Sequence, residues 1–172
     1  NLFISGKRAS ALVSDKRIKG VSLTGSEEAG ASIAIEAGKY LKKVVLELGG
    51  NDVFIILEDA DMDKTVEWAV VGRMNNNGQC CVASKRFIAV EAIADEFIQK
   101  FKDKLSKMKV GDPMDPDTEL GPLSSEEAAV QLADQVKRSV DQGAKVLLGG
   151  KRADREGAFM EPTILTDLKP GI

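Results

Sequence analysis

Apolar and polar residues alternate along this chain with two different periods. Lys19–Leu23, Lys43–Leu48, Val53–Leu57, Arg86–Val90, Ala144–Leu148 and Glu161–Leu165 are short β-rich runs bounded by glycine, proline or polar clusters, and each predicts a strand. Between them the period changes to that of a helix. Ala29, Ile33 and Ala37 recur every fourth residue, as do Ile93, Phe97, Phe101 and Leu105, and as do Leu132, Val136 and Val140. Ser26 is placed to cap the first of these helices, which is expected to run to about Tyr40, with Glu27 and Glu28 favourable in its first turn. Asp61 or Asp63 starts another helix through Val66, Trp68, Val70 and Met74, which Asn75–Gly78 breaks. Gly111–Ser125 reads as a turn-rich connection. The run Val53–Leu57 is continuous enough to predict a strand buried on both faces, as in a parallel sheet. Strands alternating with helices give an α/β fold class, a mainly parallel sheet with flanking helices. No internal repeat or low-complexity tract interrupts the pattern.

Composition narrows the chemistry. The chain has 172 residues, 43% hydrophobic and 30% charged, with a formal net charge of −3. That balance argues against a nucleic-acid partner, which requires a basic face. No apolar run approaches the roughly 18 residues that span a bilayer, so no membrane segment is expected. Histidine is absent, so acid–base work falls to carboxylates, cysteine, lysine or tyrosine. No metal site is expected from Cys80 and Cys81, the only cysteines. Adjacent cysteines rarely pair, so a disulfide scaffold is disfavoured and a reducing, cytoplasmic compartment is expected. The chain begins at Asn1 rather than Met and reads as a truncated segment.

Three segments carry candidate chemistry. Thr24-Gly25-Ser26 sits at a strand-to-helix turn, where free N–H groups and the helix dipole favour an anion. A purely structural Gly–Ser cap would look the same, and no Lys-Ser/Thr follows to make a nucleotide-triphosphate loop. Glu47 lies in the apolar strand that precedes Gly49-Gly50. Burial there would raise its pKa and suit a general base, whereas an outward-facing Glu would be a plain surface charge. Cys81 follows Gly78-Gln79-Cys80 in a loop, which suits an exposed nucleophile; a small buried thiol is the alternative.

In combination, Leu46-Glu47-Leu48-Gly49-Gly50-Asn51 and Gly78-Gln79-Cys80-Cys81, with 34 positions from Glu47 to Cys81, resemble the glutamate and cysteine signatures of the NAD(P)-dependent aldehyde dehydrogenase superfamily. Val110-Gly111-Asp112-Pro113, Leu120-Gly121-Pro122 and Glu161-Pro162-Thr163 extend the resemblance over almost the whole chain. Around Gly72-Arg73-Met74 and Ala83–Ile88 the sequence looks most like bacterial succinate-semialdehyde dehydrogenases.

The resemblance implies oxidation of an aldehyde, with succinate semialdehyde a candidate, to the acid through a cysteine thiohemiacetal and thioester. Cys81 would be the nucleophile, its own N–H donating to the oxyanion, and Glu47 would activate water. Thr24, Gly25, Ser26, Leu48 and Gly49 would contact NAD or NADP, and Gln79 would position the cysteine loop. Some succinate-semialdehyde enzymes hold the substrate carboxylate with an Arg six residues before the nucleophile. Asn75 stands there, leaving Arg73 and Lys85 as alternative cations, although helix-surface charge is the plainer role for each. By the same resemblance, residues 1–48 would end a cofactor-binding domain and 49–172 would begin a catalytic domain. The parent would be a homodimer or homotetramer, and this piece alone would be poorly active or a purely structural fragment.

Overall fold

The computed structural model describes residues 3–169. Its elements run α1 (Gly6–Ser14), β1 (Gly20–Thr24), α2 (Glu27–Lys39), β2 (Lys43–Glu47), β3 (Asp52–Ile56), α3 (Met62–Met74), a 3-10 turn (Asn75–Gly78), β4 (Ser84–Ala89), α4 (Glu91–Leu105), α5 (Glu126–Asp141), β5 (Lys145–Leu148) and β6 (Ile164–Thr166). Two compact units divide between Gly50 and Asn51.

The first unit is a strand–helix–strand crossover with α1 packed against α2. β1 and β2 pair in parallel, from Gly20 opposite Lys43 to Thr24 opposite Glu47. Parallel strands need a crossover connection, which α2 supplies. Ser26 caps α2 as expected, its Oγ accepting from the Ala29 N–H at 3.2 Å. Ala37 is fully buried, while Val21, Leu23, Val44 and Leu46 alternate as the half-buried face of the two strands. The helix α1 has no counterpart among the sequence expectations. Its turns mix Lys7, Arg8, Ser10 and Ser14 with Ala9, Leu12 and Val13, and only Val13 is buried.

In the second unit β3 and β4 also pair in parallel, joined through α3. Asp61 caps α3, accepting from the Lys64 N–H. The every-fourth-residue stripe on α4 behaves as read: Phe97, Phe101 and Leu105 are buried and join Ile56, Val66 and Ala69 in one core. Phe87 of β4 faces this core, its ring centroid 4.8 Å from that of Phe101 and 5.6 Å from that of Phe54. Such tilted aromatic contacts add to the area buried. β5 and β6 form a separate antiparallel pair, with Leu148 and Ile164 against the same core.

Parallel pairing and flanking helices are as the sequence indicates, but the strands form three separate two-stranded sheets rather than one. A second correction concerns β3. It is buried on one face only: Ile56 is 1% exposed, whereas Ile55 is 62% exposed and its neighbour Ile88 on β4 is 52%. The helices α3 and α4 pack over one side of the pair, and no described element of this unit covers the other. Val140, placed on the buried stripe of α5, is likewise exposed, and only Ala129 and Val136 of that helix are buried. No helix among the described residues is long and apolar enough to cross a membrane.

Phe101 is buried and packs its ring on those of Phe87 and Phe97, so Phe101→Ala should cost about 3–5 kcal/mol of folding stability. Urea unfolding of the chain measures this; a loss below ~1 kcal/mol would contradict the packing described.

Candidate active site

Each unit carries one group of the predicted site residues. In the first, in-register pairing brings the ends of β1 and β2 side by side. Thr24 lies opposite Glu47, and the Gly25 N–H donates to the Glu47 carbonyl at 3.0 Å. Thr24, Gly25, Ser26, Glu47 and Leu48 therefore gather at the carboxyl ends of one parallel pair, where open α/β sheets place ligands. Ser26 spends its Oγ lone pair on the helix cap, which leaves its hydroxyl proton free to donate. The Glu27 and Glu28 N–H groups have no acceptor among the described residues. This donor set fits a phosphate group, although the Glu27 and Glu28 carboxylates sit in the same first turn and offset part of the dipole.

Gly30 is buried beneath this end. A Cβ there would lie 2.7 Å from Leu48 Cδ2, so glycine is what lets Leu48 lie against α2. A glycine inside a helix costs about 1 kcal/mol relative to alanine, and that cost was the signal available in the sequence. Gly49 is exposed, and a Cβ would meet nothing there.

Glu47 is not buried. It shares the open face of β2 with Lys43 and Val45, because α2 packs over only the other side of the pair. The outward-facing alternative therefore describes its surroundings in this unit.

The second unit builds the cysteine loop. Asn76, Asn77 and Gly78 adopt consecutive left-handed conformations, with φ of 52°, 56° and 73°. Asparagine and glycine tolerate that region best, so the three residues turn the chain sharply out of α3. Asn77 then locks the turn from both ends of its amide. Nδ2 donates to the Pro122 carbonyl at 3.0 Å, and Oδ1 accepts from the Gly121 N–H at 3.0 Å. Two residues on, Gln79 adds one more tie to the same connection, its Oε1 accepting from the Ser124 N–H at 2.8 Å.

Arg73 and Lys85 are not helix-surface charges. Arg73 is half-buried and donates from Nη1 to the Gly78 carbonyl at 3.3 Å, and burial lowers its pKa from the ordinary value. A Cβ at Gly78 would strike its guanidinium at 2.8 Å. Lys85, at the start of β4, donates to the carbonyls of Cys80, Cys81 and Ala83 at 3.2, 3.0 and 2.8 Å. On the loop so held, Cys81 is exposed and Cys80 half-buried.

An open cleft of about 260 Å³ lies beside the loop, lined by Arg73, Asn77, Lys85, Leu120 and Thr163 among others. Neither Cys81 nor Glu47 lines it. No group of three or more metal-ligating side chains occurs among the described residues.

The chain as a whole is similar to known proteins. The family model described as "Aldehyde dehydrogenase family" matches residues 3–172. The chain is 49% identical over 170 residues to a succinate-semialdehyde dehydrogenase (NADP(+)) of Deinococcus radiodurans, covering 99% of this chain and 36% of that protein. To the enzyme of the same description from Mycobacterium leprae it is 47% identical over 167 residues, again over 36% of that protein's length. Among solved structures it is similar to succinic semialdehyde dehydrogenase from Streptococcus pyogenes in complex with NADP+. The TM-score is 0.94 at 49% identity, with 99% of this chain and 37% of that one covered. It is also similar to betaine aldehyde dehydrogenase from Staphylococcus aureus in complex with NAD+, with TM-score 0.90 at 34% identity over 94% of this chain and 33% of that one. The chain thus spans about a third of the length of these relatives.

Two measurements check the loop. Asn77→Ala removes both amide partners of Gly121 and Pro122 and should cost about 1–3 kcal/mol in stability, read by urea unfolding. Iodoacetamide labelling with peptide mapping should modify Cys81 several-fold faster than Cys80; equal rates would contradict the difference in exposure.

Proposed function

Since this chain belongs to the aldehyde dehydrogenase family, we propose that it carries the nucleophile and the general base of an NAD(P)-dependent aldehyde oxidation, with succinate semialdehyde as the substrate. What supports this most directly is the cysteine loop. An exposed Cys81 stands on backbone that hydrogen bonds from Arg73, Asn77, Gln79 and Lys85 hold in place. A rigidly presented thiol is what covalent catalysis requires, since misplacement by about 1 Å is costly to rate.

In the proposed sequence the Cys81 thiolate attacks the aldehyde carbon. The C–S bond forms, the carbonyl electrons move to oxygen, and the Cys81 N–H donates to that oxyanion. A dinucleotide, when bound, would supply the hydride acceptor for oxidation of the thiohemiacetal to the thioester. Glu47 takes a proton from water, the water oxygen attacks the thioester carbon, and the C–S bond breaks to return the thiolate. Glu47 is open to solvent in its unit, so access of water to it needs no further device.

Ser26 and the first turn of α2 would hold the dinucleotide's phosphates. Thr24, Leu48 and Gly49 would lie along the same cofactor, Gly49 because its lack of a side chain leaves room for close approach. Residues 1–48 would then complete a cofactor-binding domain and 49–172 open a catalytic one. A cytoplasmic homo-oligomer, dimer or tetramer, is the setting we propose for the parent polypeptide. NADP is favoured as cofactor by the names of the succinate-semialdehyde relatives.

A second reading, a folded but catalytically incompetent segment, is favoured by one observation: the chain spans about a third of its relatives. Aldehyde-dependent NADPH absorbance separates the two. In the polypeptide that carries this segment, Cys81→Ala should reduce turnover to background. Glu47→Gln should leave a burst of about one NADPH per site followed by slow turnover, because the thioester accumulates. Full steady-state activity in Glu47→Gln would remove the base assignment, and full activity in Cys81→Ala would remove the whole reading.

A further inference from the structure

Lys85 is a cation with no carboxylate partner among the described residues. Its three donor positions are matched by three carbonyl oxygens of a single loop, those of Cys80, Cys81 and Ala83. A lysine on a surface strand ordinarily keeps its ammonium in water, where hydration is strong. Here the head group is half-buried and turned back along its own chain, onto residues two to five positions earlier.

Peptide geometry gives that turn a consequence. The carbonyl of Cys80 and the N–H of Cys81 belong to one planar trans unit and point in opposite directions. When the Cys80 carbonyl is drawn onto Lys85, the Cys81 N–H is aimed away from the ammonium. The Cys81 carbonyl and the Val82 N–H are related in the same way. Neither of these two N–H groups has an acceptor among the described residues, whereas the Ala83 N–H folds inward onto the Cys80 carbonyl at 3.1 Å. The loop is therefore sorted: carbonyls converge on one cation, and the N–H groups of Cys81, whose thiol is exposed, and of Val82 are left without a protein acceptor among the described residues.

We propose that Lys85 is a positioning residue, whose ammonium orients the Cys80–Cys81 peptide so that the Cys81 N–H faces the oxygen of the bound aldehyde. It touches no reacting atom. Its effect is exerted through two backbone planes, and it is stronger in the transition state, when that oxygen carries charge, than in the ground state. This rests on Cys81 being the nucleophile, as proposed above. Arg73 serves the loop differently: it holds Gly78, three residues upstream of the thiol, and bonds no peptide adjacent to Cys81.

The test is steady-state kinetics of aldehyde oxidation in the polypeptide that carries this segment, with Lys85→Arg, Lys85→Gln and Lys85→Met compared with the parent. An arginine keeps a cation with several N–H donors, a glutamine keeps two donors without charge, and a methionine keeps only the apolar stem. The expected result is a graded fall in kcat, within about 3-fold for Arg and about 10²-fold for Met, Gln falling between, with KM for the aldehyde changed less than about 3-fold; removal of one oxyanion donor sets that scale. A stabilising role alone would lower the melting temperature without this split between kcat and KM. If the Met variant does not fold, the comparison of Arg with Gln carries the test: equal kcat in those two overturns the proposal. So does unchanged kcat in Lys85→Met, or a loss that falls on KM alone. Cys81→Ala, run alongside, keeps the two conclusions apart. An inactive Cys81→Ala with an unimpaired Lys85→Met removes only the role of Lys85. An active Cys81→Ala removes the nucleophile, and the role of Lys85 with it.

Discussion

Two strands that run the same way cannot be joined by a tight turn, so each parallel pair in this chain commits a helix to the return path. Most of the remaining structure follows from that requirement. The helix covers one face, the strands alternate half-buried and exposed residues beneath it, and the connecting turns collect at the strand ends. In the first unit this sets Thr24 beside Glu47 at the carboxyl ends. In the second, Asp52 pairs with Ser84 at the amino ends, so the loop bearing Cys81 enters β4 directly from that edge. Glycines and asparagines stand where these junctions demand unusual backbone, at Gly78 and Asn77, or close contact, at Gly30.

The cysteine loop is held mainly by side chains that reach backbone atoms. The amide of Asn77 bridges to Gly121 and Pro122, that of Gln79 to Ser124, and the ammonium of Lys85 to three carbonyls. Such contacts order a loop without burying it, which reconciles an exposed thiol with a fixed position. They also join segments some 45 residues apart, so the turn-rich connection after α4 is part of the site's support rather than a plain linker.

What was legible in the sequence was whatever depends on local rules. The Ser26 and Asp61 caps, the stripe of Phe97, Phe101 and Leu105, and the family resemblance carried by the motifs around Glu47 and Cys81 all depend on fixed spacing or on a short motif. What was not legible depends on which faces this chain covers. The run Val53–Leu57 has the composition of a strand buried on both sides, yet Ile55 is open. Hydrophobicity records what a surface requires, not which segment meets it. The roles of Arg73 and Lys85 were hidden for a different reason: charge at a helix end or a strand start reads as solvated surface, and only three-dimensional placement reveals the Gly78 carbonyl beside Arg73 and three carbonyls around Lys85. The helix α1 escaped notice because serines and cations interrupt its apolar positions and only Val13 is buried.

The open side of the β3–β4 pair has its own implication for handling this polypeptide. Val53, Ile55, Leu57 and Ile88 leave branched aliphatic side chains in water on a narrow, two-stranded ribbon. Ribbons of that kind are adhesive, because a second ribbon can stack on the greasy side or add to the unpaired rim. Contact between two such faces rises with protein concentration, so dilution favours the dispersed chain.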